Sequence, residues 1–229
     1  MLHGVASRSY GQYCGLARAL EIVGERWGLL LVRDLLVGPR RFSELRRGLP
    51  KIPTNVLSAR LRQLEAAGVV RRRLLARPET GFEYELTAYG RDLEETVMVF
   101  GRWGARSLGE PRANEIVTCD SLVMALRSTF QPAAARAFRG SYELRLGDVT
   151  VHARVDRGRL EAAAGGLPDA DLVIETGPIL RSILARELTP AAALRSGLVR
   201  LTGDKRLFEK FPELFQIAPS PVQVPAIQG

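Results

Sequence analysis

Apolar residues recur along the chain in two rhythms, helical and alternating, and the switches between them outline its elements. Residues 14–23 carry Leu16, Leu20 and Val23 at helical spacing before Gly24. In residues 27–36, Trp27, Leu30, Leu31 and Leu35 share a face, and Gly38-Pro39 closes the segment. A short helix is expected at 42–47, opened by Ser43 or the residue before it and stopped by Gly48 and Pro50. The clearest helix spans 54–67: Leu57, Leu61 and Leu64 form its buried stripe, Thr54 can cap its start, and Gly68 ends it. Two strand-like runs, 69–76 and 82–86, flank the turn-forming segment 77–81 and predict a hairpin. Thr87 then caps a helix running to about Leu108, with Leu93, Val97 and Phe100 along one side, until Gly109 and Pro111 break it.

The second half mixes both rhythms. A helix is expected at 121–129, then strands at 141–146 and 149–155 joined by Gly147-Asp148, a hairpin signal. Further strands are expected at 159–164 and 170–175, helices at 178–187 and 190–196, a short strand at 199–202 and a closing helix at 204–215. Residues 218–229 contain three prolines and read as a flexible tail. The division is therefore 1–110, 114–217 and the tail.

Composition removes several classes. Apolar runs such as 28–32 are far short of the ~20 residues a membrane helix needs, so no membrane insertion is expected. The first residues have no apolar segment of signal-peptide type, which predicts a cytoplasmic protein. Two cysteines 105 positions apart and two distant histidines supply neither a disulfide framework nor a metal cluster, so no cofactor or metal is expected. Nucleophile-elbow, phosphate-loop, dinucleotide and zinc-protease motifs are missing, and paired acids such as Glu94-Glu95 read as solvated, so no catalytic residue is assigned.

Charge is distributed unevenly. Residues 1–112 hold 19 Lys+Arg against 12 Asp+Glu, a net of +7, while 113–229 hold 14 against 13, a net of +1. Residues 38–77 alone carry 11 basic side chains and two acidic ones, which suggests a polyanion. The element order over the same stretch is that of a winged helix-turn-helix, whose second helix enters the major groove while its hairpin reaches the flanking backbone. With Leu57, Leu61 and Leu64 inward, the outward face of 54–67 is centred on Asn55, Ala59, Arg62 and Ala66, flanked by Ser58. Asn and Arg can read adenine and guanine edges, and Ser43, Thr54 and Ser58 can serve phosphates. Arg60 stands at the positive edge, and Arg71, Arg73 and Arg77 run along the hairpin, with Arg72 on its other face. Double-stranded DNA is the expected partner.

These residues resemble the HxlR-type winged-helix regulators, relatives of the MarR-like group. The resemblance is carried by Tyr13-Cys14, Trp27 to Leu35, Arg41-Phe-Ser-Glu-Leu45, Val56 to Arg71, Tyr84-Glu-Leu-Thr87 with Gly90, and Trp103-Gly104. It implies a homodimer on a roughly palindromic operator, although such proteins usually end soon after the long helix. The apolar residues most available for pairing are Leu16, Leu20, Leu93, Val97, Phe100 and Trp103; an intramolecular core is the competing assignment, and it is the favoured one for Trp27. Cys14 stands where family members often carry a cysteine, in some a redox sensor. A helix N-terminus and Arg18 would favour its thiolate, and burial at a dimer interface is the alternative.

The rear half resembles the sterol-carrier-protein lipid-binding fold over residues 118–216. That resemblance rests on Gly140-Ser-Tyr-Glu-Leu144, the hairpin, Ala170-Asp-Leu-Val-Ile174 and Gly197 to Asp204 ahead of a Phe-rich helix. It implies an α+β unit enclosing an apolar tunnel for a hydrophobic small molecule or lipid. Ile179, Leu180, Ile183, Leu184, Leu194, Phe208, Phe211 and Phe215 are candidate walls, although they equally describe a plain core. His152 reads as a structural histidine. The overall fold class is thus mainly α with α+β, a winged head followed by a sterol-carrier-like domain. Three functions remain: a regulator with a hydrophobic-ligand sensor, a regulator whose rear domain is only structural with sensing at Cys14, and a lipid-carrier module.

Overall fold

The computed structural model describes residues 9–109 and 111–219; residues 1–8 and most of the expected tail, 220–229, lie outside them. The chain divides into two compact units, Met1–Val97 and Met98–Gly229.

In the first unit four helices, α1 (Gly15–Val23), α2 (Gly28–Val37), α3 (Phe42–Gly48) and α4 (Thr54–Ala66), precede a hairpin of β1 (Val70–Leu74) and β2 (Phe82–Leu86). The leucines at helical spacing meet in one core: Leu31 and Leu35 of α2, Leu45 of α3 and Leu57, Leu61 and Leu64 of α4, with Val70, Tyr84 and Leu86 of the hairpin. Trp27 is half-buried against its edge. Arg40 adds an isolated antiparallel bridge to β2 by exchanging backbone bonds with Tyr84 at 2.9 and 2.8 Å.

Two expectations change here. Thr54 is already helical, and the cap position is held by Pro53 in extended backbone (φ −63°, ψ 142°). The single helix expected from Thr87 to Leu108 is two, α5 (Ala88–Arg91) and α6 (Glu94–Ala105). Thr87 does cap α5, accepting from the Gly90 N–H at 3.0 Å while its hydroxyl donates to the Gly68 carbonyl at 2.6 Å. The break follows at Leu93, whose N–H bonds the Gly90 carbonyl three residues back instead of four. Gly90 is packed so closely on the start of the hairpin that a Cβ there would lie 2.1 Å from the Val69 carbonyl oxygen. The sheet therefore dictates where the first turn sits.

The second unit contains α7 (Cys119–Thr129), β3 (Arg139–Leu146), β4 (Val149–Asp156), β5 (Arg159–Ala164), β6 (Leu172–Thr176), α8 (Leu180–Leu184), α9 (Pro190–Arg195), β7 (Val199–Gly203) and α10 (Arg206–Leu214). The strand order is β5-β4-β3-β6-β7, antiparallel except for the parallel β3–β6 pair. Tyr142, Leu144, Val151, Ala153, Leu172 and Ile174 make one buried face. The opposite face of the central strands is charged, Arg145 bridging Glu143 and Glu175. Helix α8 is shorter than the expected 178–187 because the backbone turns at Arg186 (φ +58°) and the Glu187 and Leu188 N–H groups fold back onto the Ser182 carbonyl.

Asp171 and the Gly203-Asp204 step, separated in sequence, form one junction. The Asp171 carboxylate accepts from the Ser141 N–H and hydroxyl at 2.8 and 2.7 Å, and its carbonyl accepts from the Asp204 N–H at 2.8 Å. Gly203 (φ +105°) allows that approach, since a Cβ there would lie 2.3 Å from the Asp171 carbonyl.

Candidate nucleic-acid interface

Helix α4 buries Leu57, Leu61 and Leu64 and turns the opposite side outward. On that side Thr54, Asn55 and Arg62 are exposed, and Ser58 and Ala59 are half-buried. The Ser58 hydroxyl donates to the Thr54 carbonyl at 2.9 Å, which leaves its oxygen free to accept. Arg62 has no carboxylate partner among the described residues. Ser43 is exposed on α3. Arg46 and Arg47 at the end of α3 and Lys51 before α4 are also exposed. These three cations belong to the basic stretch 38–77, but lie off the helical face from which the contacts of α4 are expected.

Arg60, expected at the DNA contact, is engaged within its own unit. Its guanidinium donates to the Glu25 carboxylate at 2.9 Å and to the Gln63 side-chain oxygen, within the unit.

The hairpin arginines alternate as expected, but they are occupied. Arg71 reaches Glu85 at 2.6 Å across the strand pair. Arg73 bonds Glu83 through Nε at 2.8 Å and approaches Glu85 at 3.6 Å. Glu83 accordingly holds the Arg73 guanidinium more firmly charged than usual. Arg72, on the other face, lies 4.9 Å over the Phe82 ring and pairs with Glu65 at 3.1 Å. Two arginines facing two glutamates give this face little net positive field, so phosphate would have to compete for them. Arg77 is exposed at the tip, and nearby Glu79 pairs with Arg41 at 2.9 Å.

Of the residues expected at a dimer contact, Leu16 and Leu20 are exposed on α1. Phe100 and Trp103 of α6 stack at 5.7 Å and are 57% and 64% exposed, large apolar surface for a free chain. Leu93 and Val97 instead pack against the core of their own unit.

Cys14 is exposed at the N-cap of α1. Its side chain makes no capping hydrogen bond, but the backbone N–H groups of Ala17 and Leu16 at the helix start hold its pKa below the ordinary thiol value. Arg18, expected to help, pairs with Glu21 at 2.8 Å. Alkylation of Cys14 by iodoacetamide is therefore expected to titrate at lower pH in the folded chain than in urea; identical profiles would remove this effect.

In the second unit Leu180, Ile183, Leu184, Phe208, Phe211 and Phe215 are buried and Ile179 is half-buried. Phe211 meets Phe215 at 4.8 Å and Tyr142 at 5.2 Å between ring centroids. Two of the expected tunnel walls, Phe211 and Phe215, are thus in ring contact. His152 bonds the Gly165 carbonyl at 3.0 Å, a structural role. Among the described residues no cluster of His, Cys, Asp or Glu could hold a metal, and no helix is long and apolar enough to cross a membrane.

Comparison with known proteins matches residues 22–111 to the HxlR-like helix-turn-helix family. An uncharacterized HTH-type transcriptional regulator of Mycobacterium tuberculosis, Rv3095, is 43% identical over 101 residues, which are 44% of this chain and 63% of the relative. The chain thus spans somewhat under two thirds of that relative's length. The HTH-type regulator YdeP of Bacillus subtilis is 36% identical over 41% of this chain and 73% of its own. Among solved structures, the quinone-bound YodB of B. subtilis is 30% identical, covering 40% of this chain and 96% of that one, with a TM-score of 0.35.

Proposed function

Because this chain belongs, through residues 22–111, to the HxlR-like helix-turn-helix family, we propose that it is a DNA-binding transcriptional regulator acting as a homodimer on a roughly palindromic operator. The observation that carries the reading is α4, a helix locked to the core by three leucines with Asn55 and Arg62 outward. Arg46, Arg47 and Lys51 beside it supply positive charge for phosphates. Leu16, Leu20, Phe100 and Trp103 support pairing of two copies. Two recognition helices are what a palindrome requires.

The test is selection of duplexes from a random-sequence library, followed by salt titration and sedimentation of the complex. A recurrent inverted repeat, a steep fall of affinity with salt and a complex of two chains are expected. Binding without sequence preference would overturn the reading.

The rear unit fits a sterol-carrier-like domain. What supports this is a five-stranded sheet with one parallel pair, and the junction at Asp171 and Gly203. An apolar ligand there would have to displace packed side chains of α10, because Phe208 and Phe211 are fully buried and Phe211 meets Tyr142 of the sheet. Mass spectrometry of molecules extracted from the purified protein checks this: a stoichiometric apolar compound is expected, and its absence together with no thermal shift on adding oleate would remove the sensor. Cys14, exposed and with its thiolate favoured, supports redox control as a second reading.

A further inference from the structure

We infer that Arg60, although it lies on the recognition helix, is a positioning residue that sets the pitch of α4 through Glu25 instead of touching DNA; the inference rests on the regulator reading above. Successive residues of an α-helix step by about 100°, so Arg60 and Arg62 point about 200° apart. Arg62 stands on the outward side. Arg60 flanks the buried stripe of a helix that also touches α1. Its guanidinium reaches Glu25, which lies in the turn between α1 and α2, at 2.9 Å.

The side chain of Arg60 is 21% exposed, and its Nε is enclosed with no acceptor among the described residues. The same guanidinium bonds Gln63 on the next turn of α4, so the fork is held from both sides. A cation in this state has little freedom to swing toward a phosphate. Its bond to Glu25 fixes α4 lengthwise against the first two helices, whereas the leucine stripe fixes mainly which face is inward. Small rotations or slides of a recognition helix move the base-reading atoms off their partners while leaving general attraction to phosphate intact. The pair therefore acts on discrimination more than on overall affinity.

Simple electrostatics and positioning predict opposite signs for one substitution. Glu25→Gln removes a negative charge near DNA and, if the pair were idle, would leave binding unchanged or tighter. The positioning role predicts a loss on the preferred sequence.

The experiment compares wild type, Glu25→Gln, Arg60→Gln, the double variant and Arg60→Lys, each checked for folding by circular dichroism. The probes are a duplex selected by the wild-type protein and a scrambled duplex of the same composition. Both single variants are expected to lose roughly three- to tenfold in the selected-over-scrambled ratio. The double variant should lose no more than either. Arg60→Lys, which keeps the charge but not the fork, should restore only part of the ratio. The slope of log affinity against log salt should be unchanged in all four. A slope falling by about 0.9 in Arg60→Gln, with equal loss on both duplexes, would make Arg60 a phosphate contact and overturn the inference. Unchanged or tighter selective binding by Glu25→Gln would overturn it too. A wild-type protein that selects no duplex would instead defeat the regulator reading itself.

Discussion

Arg62→Ala is expected to weaken binding to a selected duplex by about 1–3 kcal/mol and to relax preference at one base position. The side chain is exposed on the outward face of α4, and no carboxylate among the described residues competes for it. Its loss leaves the buried stripe of Leu57, Leu61 and Leu64 intact, so the folded state should be nearly unaffected. Binding to a panel of duplexes altered one base pair at a time, at fixed salt, checks this. Equal weakening on every duplex, with a shallower salt dependence, would reassign Arg62 to the phosphate backbone.

Phe211→Ala carries the second large effect, a loss of about 3–5 kcal/mol in stability measured by urea unfolding. The ring is fully buried and wedged between Tyr142 and Phe215, so truncation opens a cavity that aromatic neighbours fill poorly. The size of the loss bears on ligand binding as well. A cost below about 1 kcal/mol would mean that the ring borders space already open, as a tunnel requires. A cost in the full range identifies a close-packed core that must part before a ligand enters.

The leucine spacings located α2 and α4 because burial of a helix face leaves a period near 3.6 in the sequence. The glycine that ends α4 was legible for a similar local reason, since Gly68 takes positive φ there. The long helix was not, because its apolar period continues through Arg91, Asp92 and Leu93. What divides it is the approach of Gly90 to the Val69 carbonyl, 21 positions earlier. Leu93 and Val97 also fit a helical stripe, but a stripe does not say which surface will cover it.

The sequence by itself determined which apolar residues share a face, the order of elements and the concentration of basic residues in 38–77, since each depends on local periodicity or simple counting. Only the tertiary structure decided which of those cations are available. Arg60 meets Glu25 from 35 positions away, and Arg71 and Arg73 meet glutamates across the hairpin, whereas Arg62 has no such neighbour among the described residues. Charge pairing depends on distance in space, and strand register and helix packing set that distance.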